Sequence, residues 1–210
     1  MTLRQGFDPL TLRATGLACR RGERVLVEGL DFEVGPGRAL LLKGPNGAGK
    51  TTLLMTLYGA IRPHSGGFAF EGADADTASF MHLFGHQSAI KPRLSVAENL
   101  AFWAAVNGNS ASIDAALDAV RLASIAWLDA GYLSAGQTRR LAWARLLVSP
   151  RPVWLLDEPT SALDAQGDAM VAQLIDAHLD QGGLVVAATH LPLALRDPAR
   201  VTELRIGTTP

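Results

Sequence analysis

The run Gly44-Pro45-Asn46-Gly47-Ala48-Gly49-Lys50-Thr51 has the residue types and spacing of a loop that grips phosphate. It matches G-x-x-x-x-G-K-[ST] in full, between the apolar strand pattern Ala39-Leu40-Leu41-Leu42 and the helical pattern TLLMTLYGAI. Glycines let successive backbone N–H groups turn toward one centre, and the start of the following helix adds partial positive charge. Lys50 is placed to reach the β- and γ-phosphates of a nucleoside triphosphate, and the Thr51 hydroxyl to ligate Mg2+. Nucleotide contacts are therefore expected from Gly44, Pro45, Asn46, Gly47, Ala48, Gly49, Lys50, Thr51 and Thr52.

Asp157 and Glu158 close a second apolar strand pattern, Val153-Trp154-Leu155-Leu156, so both side chains should emerge at the carboxyl edge of a parallel sheet. Asp157 would hold Mg2+ through water, and Glu158 would polarise an attacking water as general base. A solvated acidic turn before Pro159 is the plainer reading, and the complete phosphate loop decides against it. Leu133-Ser134-Ala135-Gly136-Gln137 opens another helical pattern. Ser134 and Gln137 there form a capping box, and a capped N-terminus built of small residues is also an anion site.

The elements that must position these residues are legible in outline. Residues 10–43 read as short strands broken at Gly22, Gly29 and Gly35-Pro36-Gly37. A third buried strand is Leu184-Val185-Val186-Ala187-Ala188, and helices fill the gaps, giving an α/β core with a mainly parallel sheet. Between about 92 and 148 strands disappear, and Ser95 with Glu98 makes a capping box opening SVAENLAFWAAV. The expected organisation is one domain over 1–210: a catalytic α/β core with a β portion at 1–91 and 149–210, and a helical lobe inserted at 92–148.

Composition narrows the function classes. Hydrophobic residues make up 48% and charged residues 19%, which supports a packed core and excludes a disordered chain. A formal net charge of −1 supplies no general field for polyanions, so no nucleic-acid partner is expected. The lone cysteine, Cys19, excludes an internal disulfide and reads as a small core residue. No stretch approaches the roughly 20 apolar residues of a membrane helix, so membrane attachment would come through a partner. His64, His82, His86 and His178 fit no motif and read as structural or solvated, and Trp103, Trp127, Trp143 and Trp154 as packing residues, Trp103 lying near a surface that could dock a partner.

Phosphate loop, LSAGQ and LLDEPTSALD, in this order, resemble the nucleotide-binding subunits of the ABC superfamily across nearly the whole chain. The resemblance implies the ABC form of the P-loop NTPase fold, with an N-terminal antiparallel β portion and an inserted helical signature subdomain. It implies ATP and Mg2+ as ligands, and a head-to-tail dimer in which two nucleotides are sandwiched. Ser134, Ala135, Gly136 and Gln137 would then complete the ATP site of the opposite subunit, and Asp164 would communicate across the interface. Gln87 is similar to the family glutamine that senses Mg2+ and the attacking water, and His190 to the histidine that contacts the γ-phosphate; with Glu158 and Lys50 these form the expected catalytic set.

Two features depart from the family pattern. Ala18-Cys19-Arg20-Arg21-Gly22 stands where many relatives carry an aromatic that stacks on adenine, leaving Arg20 or Arg21 to stack through a planar guanidinium or the base loosely held. Ala135 replaces a glycine, which would be costly at a positive φ. Within the superfamily, LFGHQSAIKPRLSVAENLAFW and LSAGQTRRLAWARLL resemble the ATP-binding subunits of bacterial cytochrome c maturation, the haem exporter systems. That implies a peripheral protein at the cytoplasmic face of the bacterial inner membrane, a separate multispanning membrane subunit, and a haem-chaperone system downstream. No direct haem binding is expected, since neither a Cys-Pro nor a His-rich ligand pair is present. The alternatives are an ATPase for another small-molecule cargo and, less favoured for want of a second ATPase half or a basic stripe, a soluble non-transport ABC ATPase.

Overall fold

The computed structural model describes residues 6–73, 80–85, 88–108 and 111–207. Along the chain the elements are β1 (Thr11–Arg21), β2 (Arg24–Val34), β3 (Ala39–Lys43), α1 (Lys50–Leu57), β4 (Ser65–Glu71), β5 (Met81–Phe84), α2 (Val96–Val106), α3 (Ile113–Ala119), α4 (Ala135–Leu147), β6 (Val153–Asp157), α5 (Ala165–Asp180), β7 (Leu184–Ala188) and β8 (Val201–Arg205). The chain divides into two compact units, 1–85 with 151–159 and 175–210, and 86–150 with 160–174.

The first unit holds both sheets. An antiparallel sheet has the order β2-β1-β4, and a parallel sheet the order β5-β6-β7-β3-β8. β6 and β7 are buried at every position, as strands covered on both faces must be, which explains their unbroken apolar sequences. One continuous core joins Leu12, Leu17 and Cys19 of β1 to Leu40 and Leu42 of β3, Leu53 and Leu57 of α1, and Leu155 and Val186 of the central strands. Cys19 is fully buried there, and burial pushes its thiol above the usual range, opposed in part by a hydrogen bond with Thr56.

β1 and β2 are single strands of 11 residues each, longer than the short strands expected from the glycine breaks. Gly16 and Gly29, at φ 57° and 61°, absorb register shifts inside the hairpin instead of ending it, and Asp31 Oδ1 accepts the Gly16 N–H at 2.8 Å. The second unit is helical. α2, α3 and α4 pack on one another, and Leu100, Leu117 and Trp143 are fully buried. Trp154 is buried too, but Trp127 is 76% exposed: it lies just past a one-turn 3-10 helix, on a segment whose backbone pairs with 95–97 and leaves the ring outside.

His178, near the end of α5, is a core residue. Its ring stacks on Trp154 with centroids 3.9 Å apart and lies 5.3 Å from Phe7, and a side chain at Gly183 would collide with it. Loss of solvent on burial lowers its pKa from 6.5 to about 4, against hydrogen bonds with the backbone at Leu184 and Pro152 that raise it. An unfolded chain protonates this ring near pH 6.5 and the folded one only near 4. Its contribution is therefore intact above pH 6.5 and is lost as pH falls toward 4, by up to about 3 kcal/mol. His178→Phe keeps a ring on Trp154, and urea midpoints at pH 7.5 and 4.5 should differ less in this variant than in the natural chain. Equal differences would show that His178 plays no part in acid sensitivity.

Candidate functional site

Three neighbouring strands of the parallel sheet, β6, β7 and β3, end at one edge, and the chemistry-bearing residues leave from those ends. From β3 the chain turns through Gly44–Gly49 into α1. Gly44 has φ 150°, and a Cβ there would strike the Ile206 carbonyl. Gly49, the residue before α1, has φ 104°, and its missing Cβ leaves room for Val27 Cγ2 at 2.7 Å and Leu26 Cβ at 2.9 Å. Only glycine fits this conformation and this approach. α1 has no side-chain cap and no acidic residue in its first turn, so its N-terminal amides keep their attraction for an anion. Pro45, Asn46 and Gly47 are exposed on the loop, whereas Thr52 is buried behind it with its carbonyl bonded to the Thr56 hydroxyl at 2.9 Å.

Lys50 is 7% exposed, and its ammonium donates to the carbonyls of Gly44 at 2.7 Å and Pro45 at 3.1 Å and to His190 Nε2 at 3.1 Å. Because the ammonium must donate, Nε2 accepts and the imidazole proton is assigned to Nδ1. The Thr51 hydroxyl donates to Asp157 Oδ2 at 2.8 Å, and Asp157, the last residue of β6, is 5% exposed. This pair of hard oxygens suits Mg2+. Among the described residues no group of three His, Cys, Asp or Glu could hold a metal alone, so a Mg2+ here would take its remaining ligands from phosphate and water.

Glu158 follows with φ 47°, a left-handed conformation that costs a non-glycine residue about 1–2 kcal/mol. One further rung beyond the sheet fixes it, its N–H donating to the Ala188 carbonyl at 2.8 Å. The turn aims the carboxylate back over the strand ends, where Oε2 accepts the His190 N–H at 3.5 Å and Oε1 lies 3.6 Å from His190 Nε2. His190 is set by Thr189, whose hydroxyl exchanges hydrogen bonds with Leu191 at 3.0 and 3.1 Å. Lys50, Thr51, Asp157, Glu158 and His190 are thus brought together within the first unit. Gln87 lies outside the described residues. Arg20 and Arg21 are exposed at the end of β1, beside the tight turn at Gly22 into β2, the strand that meets the phosphate loop through Leu26 and Val27.

In the helical unit, Ser134 caps α4. Its hydroxyl accepts the Gln137 N–H at 3.2 Å, and Gln137 Oε1 accepts the Ser134 N–H at 2.9 Å, as the capping-box pattern predicts. Ala135 is the first helical residue and is not among the positive-φ positions, so its methyl brings no backbone strain. Gly136 passes close to Ala162, whose carbonyl would lie 3.3 Å from an added Cβ. Asp164 Oδ1 accepts the Gly167 N–H at 2.7 Å at the start of α5 and meets Arg140 Nη2 at 3.2 Å. The first of these contacts chiefly holds its carboxyl below the usual range. Sequence reasoning did not single out Arg140, Asn99 or Arg145, because an arginine on a helix or an asparagine inside one carries no motif until its partners are seen.

A family model described as ABC transporter matches residues 27–161. Over 201 residues the chain is 52% identical to the cytochrome c biogenesis ATP-binding export protein CcmA of Rhodopseudomonas palustris (strain HaA2), an alignment covering 94% of this chain and 98% of that one. It is 52% identical over 186 residues to the protein of the same name from Ruegeria pomeroyi, covering 89% and 88%. Among solved structures, an ABC transporter ATP-binding protein from Pyrococcus furiosus matches with a TM-score of 0.81 at 23% identity, covering 93% of this chain and 97% of that one. The cbiO1 subunit of a Clostridium perfringens ABC transporter complex matches with 0.75 at 24%, covering 93% and 86%. At such identities these two likenesses speak to the fold alone.

Two substitutions test the assignments. Lys50→Ala should weaken binding of a fluorescent ATP analogue by roughly 10- to 100-fold, the worth of a hydrogen bond to a charged group; undiminished binding would count against the loop. Glu158→Gln should bind ATP as the natural chain does and lose roughly 10²–10⁴ in kcat. Turnover at the natural rate would mean that another group is the base.

Proposed function

The chain belongs to the ABC transporter ATP-binding family, and from that premise we propose that it couples ATP binding and hydrolysis to haem handling and export in c-type cytochrome biogenesis. As an ABC ATPase it hydrolyses ATP. The observation that carries the cargo assignment is identity of 52% over nearly its whole length to proteins named for cytochrome c biogenesis export.

In this reading the triphosphate lies along residues 44–51, held by backbone amides, and Lys50 exchanges the Gly44 and Pro45 carbonyls for phosphate oxygens. Thr51 and Asp157, with Gln87, would hold Mg2+, which when bound would supply charge neutralisation at the phosphates. Glu158 takes the proton of the attacking water, and His190, poised between Lys50 and Glu158, contacts the γ-phosphate. Ser134, Ala135, Gly136 and Gln137 of a second copy close over the nucleotide, with Asp164 communicating between the copies. The helical lobe carrying the signature segment is the inserted subdomain, and Arg20 or Arg21 is the candidate contact for the adenine ring.

No helix among the described residues is long and apolar enough to cross a membrane; in this reading a separate multispanning subunit carries the chain to the cytoplasmic face of the inner membrane. Affinity purification of the tagged chain from native membranes, followed by mass spectrometry, should recover that polytopic subunit, and adding Mg-ATP should release a haem-loaded chaperone from the complex. A transporter subunit for a different solute in its place would overturn the haem assignment while leaving the ATPase intact. Size exclusion of Glu158→Gln at saturating Mg-ATP should show a dimer, and a monomer in the presence of the membrane subunit would contradict the sandwich.

A further inference from the structure

Within the first unit, the Lys50 ammonium has three protons and three acceptors around it: the carbonyls of Gly44 at 2.7 Å and Pro45 at 3.1 Å, and Nε2 of His190 at 3.1 Å. A ring nitrogen that accepts from an ammonium carries no proton of its own, so the imidazole is neutral in this state. The Glu158 carboxylate bears the same mark. Its Oε1 stands 3.6 Å from that Nε2, beyond hydrogen-bond length, as two acceptors do with no proton between them. Its Oε2 accepts the backbone N–H of His190 at 3.5 Å, which keeps the carboxylate beside the ring.

The donor that satisfies Nε2 is the very group a triphosphate removes. When Lys50 turns to phosphate oxygens, the phosphate comes within reach of the place the ammonium left. Nε2 then has the Glu158 carboxylate on one side and phosphate on the other, and nothing to donate to either. Leaving such lone pairs opposed costs as an unmade hydrogen bond does, and two anions beside an imidazole favour its charged form. Among the described residues, the charged groups set against the ring are Lys50 from α1 and Glu158 from the turn after β6. Asp157, at the end of β6, is bonded to the Thr51 hydroxyl, and Thr189 and Leu191 on the ring's own loop are uncharged. Water can supply a proton, since the side chains of His190 and Glu158 are 45% and 24% exposed.

We propose that binding of the triphosphate draws one proton from solvent onto Nε2 of His190, turning a neutral acceptor for Lys50 into an imidazolium that donates to the γ-phosphate and to Glu158. One N–H bond forms at Nε2, Nδ1 keeps its own, and the ring gains one positive charge. That charge lies between the carboxylate assigned as base and the incoming phosphates, and offsets the repulsion between them. The inference rests on the ATPase reading above and adds a linkage to it. Because the bound state holds one more proton than the unbound state, nucleotide affinity falls as pH rises.

Calorimetry of Mg-ATPγS binding to the full chain at pH 8, repeated in buffers of different ionisation enthalpy, counts the protons taken up. The natural chain should take up between about half a proton and one per nucleotide, and its Kd should weaken from pH 7.5 to 8.5 by at most about tenfold, the limit for a single linked proton. His190→Gln keeps an amide donor that does not titrate, and it should bind with neither uptake nor slope. In 15N NMR, with His190 assigned through its backbone, Mg-ATPγS should convert Nε2 from bare to protonated while Nδ1 stays protonated. No buffer dependence in the natural chain would overturn the proposal, as would a proton that moves from Nδ1 to Nε2 without net uptake. Uptake undiminished in His190→Gln would place the proton on another group, Glu158 first, and overturn it too. If that variant does not fold, the two ring nitrogens of the natural chain decide the question. Failure of Mg-ATPγS to bind the natural chain, or binding untouched by Lys50→Ala, would instead sink the nucleotide site itself and this inference with it.

Discussion

A triphosphate arrives with several negative charges and a tightly held shell of water, so the groups that replace that water must be fixed in place beforehand. Here the fixing is done by the ends of three adjacent parallel strands. β6, β7 and β3 stop at one edge of the sheet, and each delivers its residues there: Asp157 and Glu158, then His190, then the loop that leads into Lys50 and Thr51. Two contacts stitch these deliveries together across the strand ends, Thr51 to Asp157 at 2.8 Å and Lys50 to His190 at 3.1 Å. The rest of the first unit holds that edge still. Uninterrupted burial of β6 and β7 fixes the register from which Asp157 emerges, and burial of Leu53, Leu54 and Leu57 seats α1, whose N-terminal amides are the proposed phosphate donors.

Four non-glycine residues among those described, Ala89, Arg121, Glu158 and Ala162, hold a left-handed φ. Glu158 reverses the chain at a left-handed φ immediately after a regular strand, and its amide is bonded to the Ala188 carbonyl, so the sheet itself offsets the cost. Ala89 and Ala162 are the comparable alanines in the helical unit, the second packed against Gly136 of the signature segment. Ser134 shows the opposite strategy: its helix start is satisfied by its own capping box. That leaves Ala135 unstrained where a glycine is usual in the wider family.

Local signals made much of this readable from the sequence. The phosphate loop declares itself because glycine spacing, Lys50 and Thr51 have one shared purpose, and both capping boxes form between residues three apart. Strands β3, β6 and β7 were visible because burial on both faces demands unbroken apolar runs. β5 and β8 were not singled out: the first has only four residues, and the second lies at the sheet's edge with Thr202, Glu203 and Arg205 exposed and neither an apolar run nor an alternation to mark it. Gly29 suggested a strand end, when its positive φ instead makes a bulge inside β2. His178 gave no hint of its burial, because α5 and β6 meet around it only in the fold. Asn99 was illegible for the same reason: its partners are backbone groups, which every residue has, so no residue type marks the contact.

The central claim is that a triphosphate is held by the main chain of residues 44–51, at the edge where β6, β7 and β3 end. The direct measurement is a crystal structure of the Glu158→Gln chain grown with Mg-ATP. The account predicts the β- and γ-phosphates within hydrogen-bond reach of the loop amides, with the Lys50 ammonium moved off the Gly44 and Pro45 carbonyls onto phosphate oxygens. Nucleotide bound elsewhere, with Lys50 still on those two carbonyls, would contradict it.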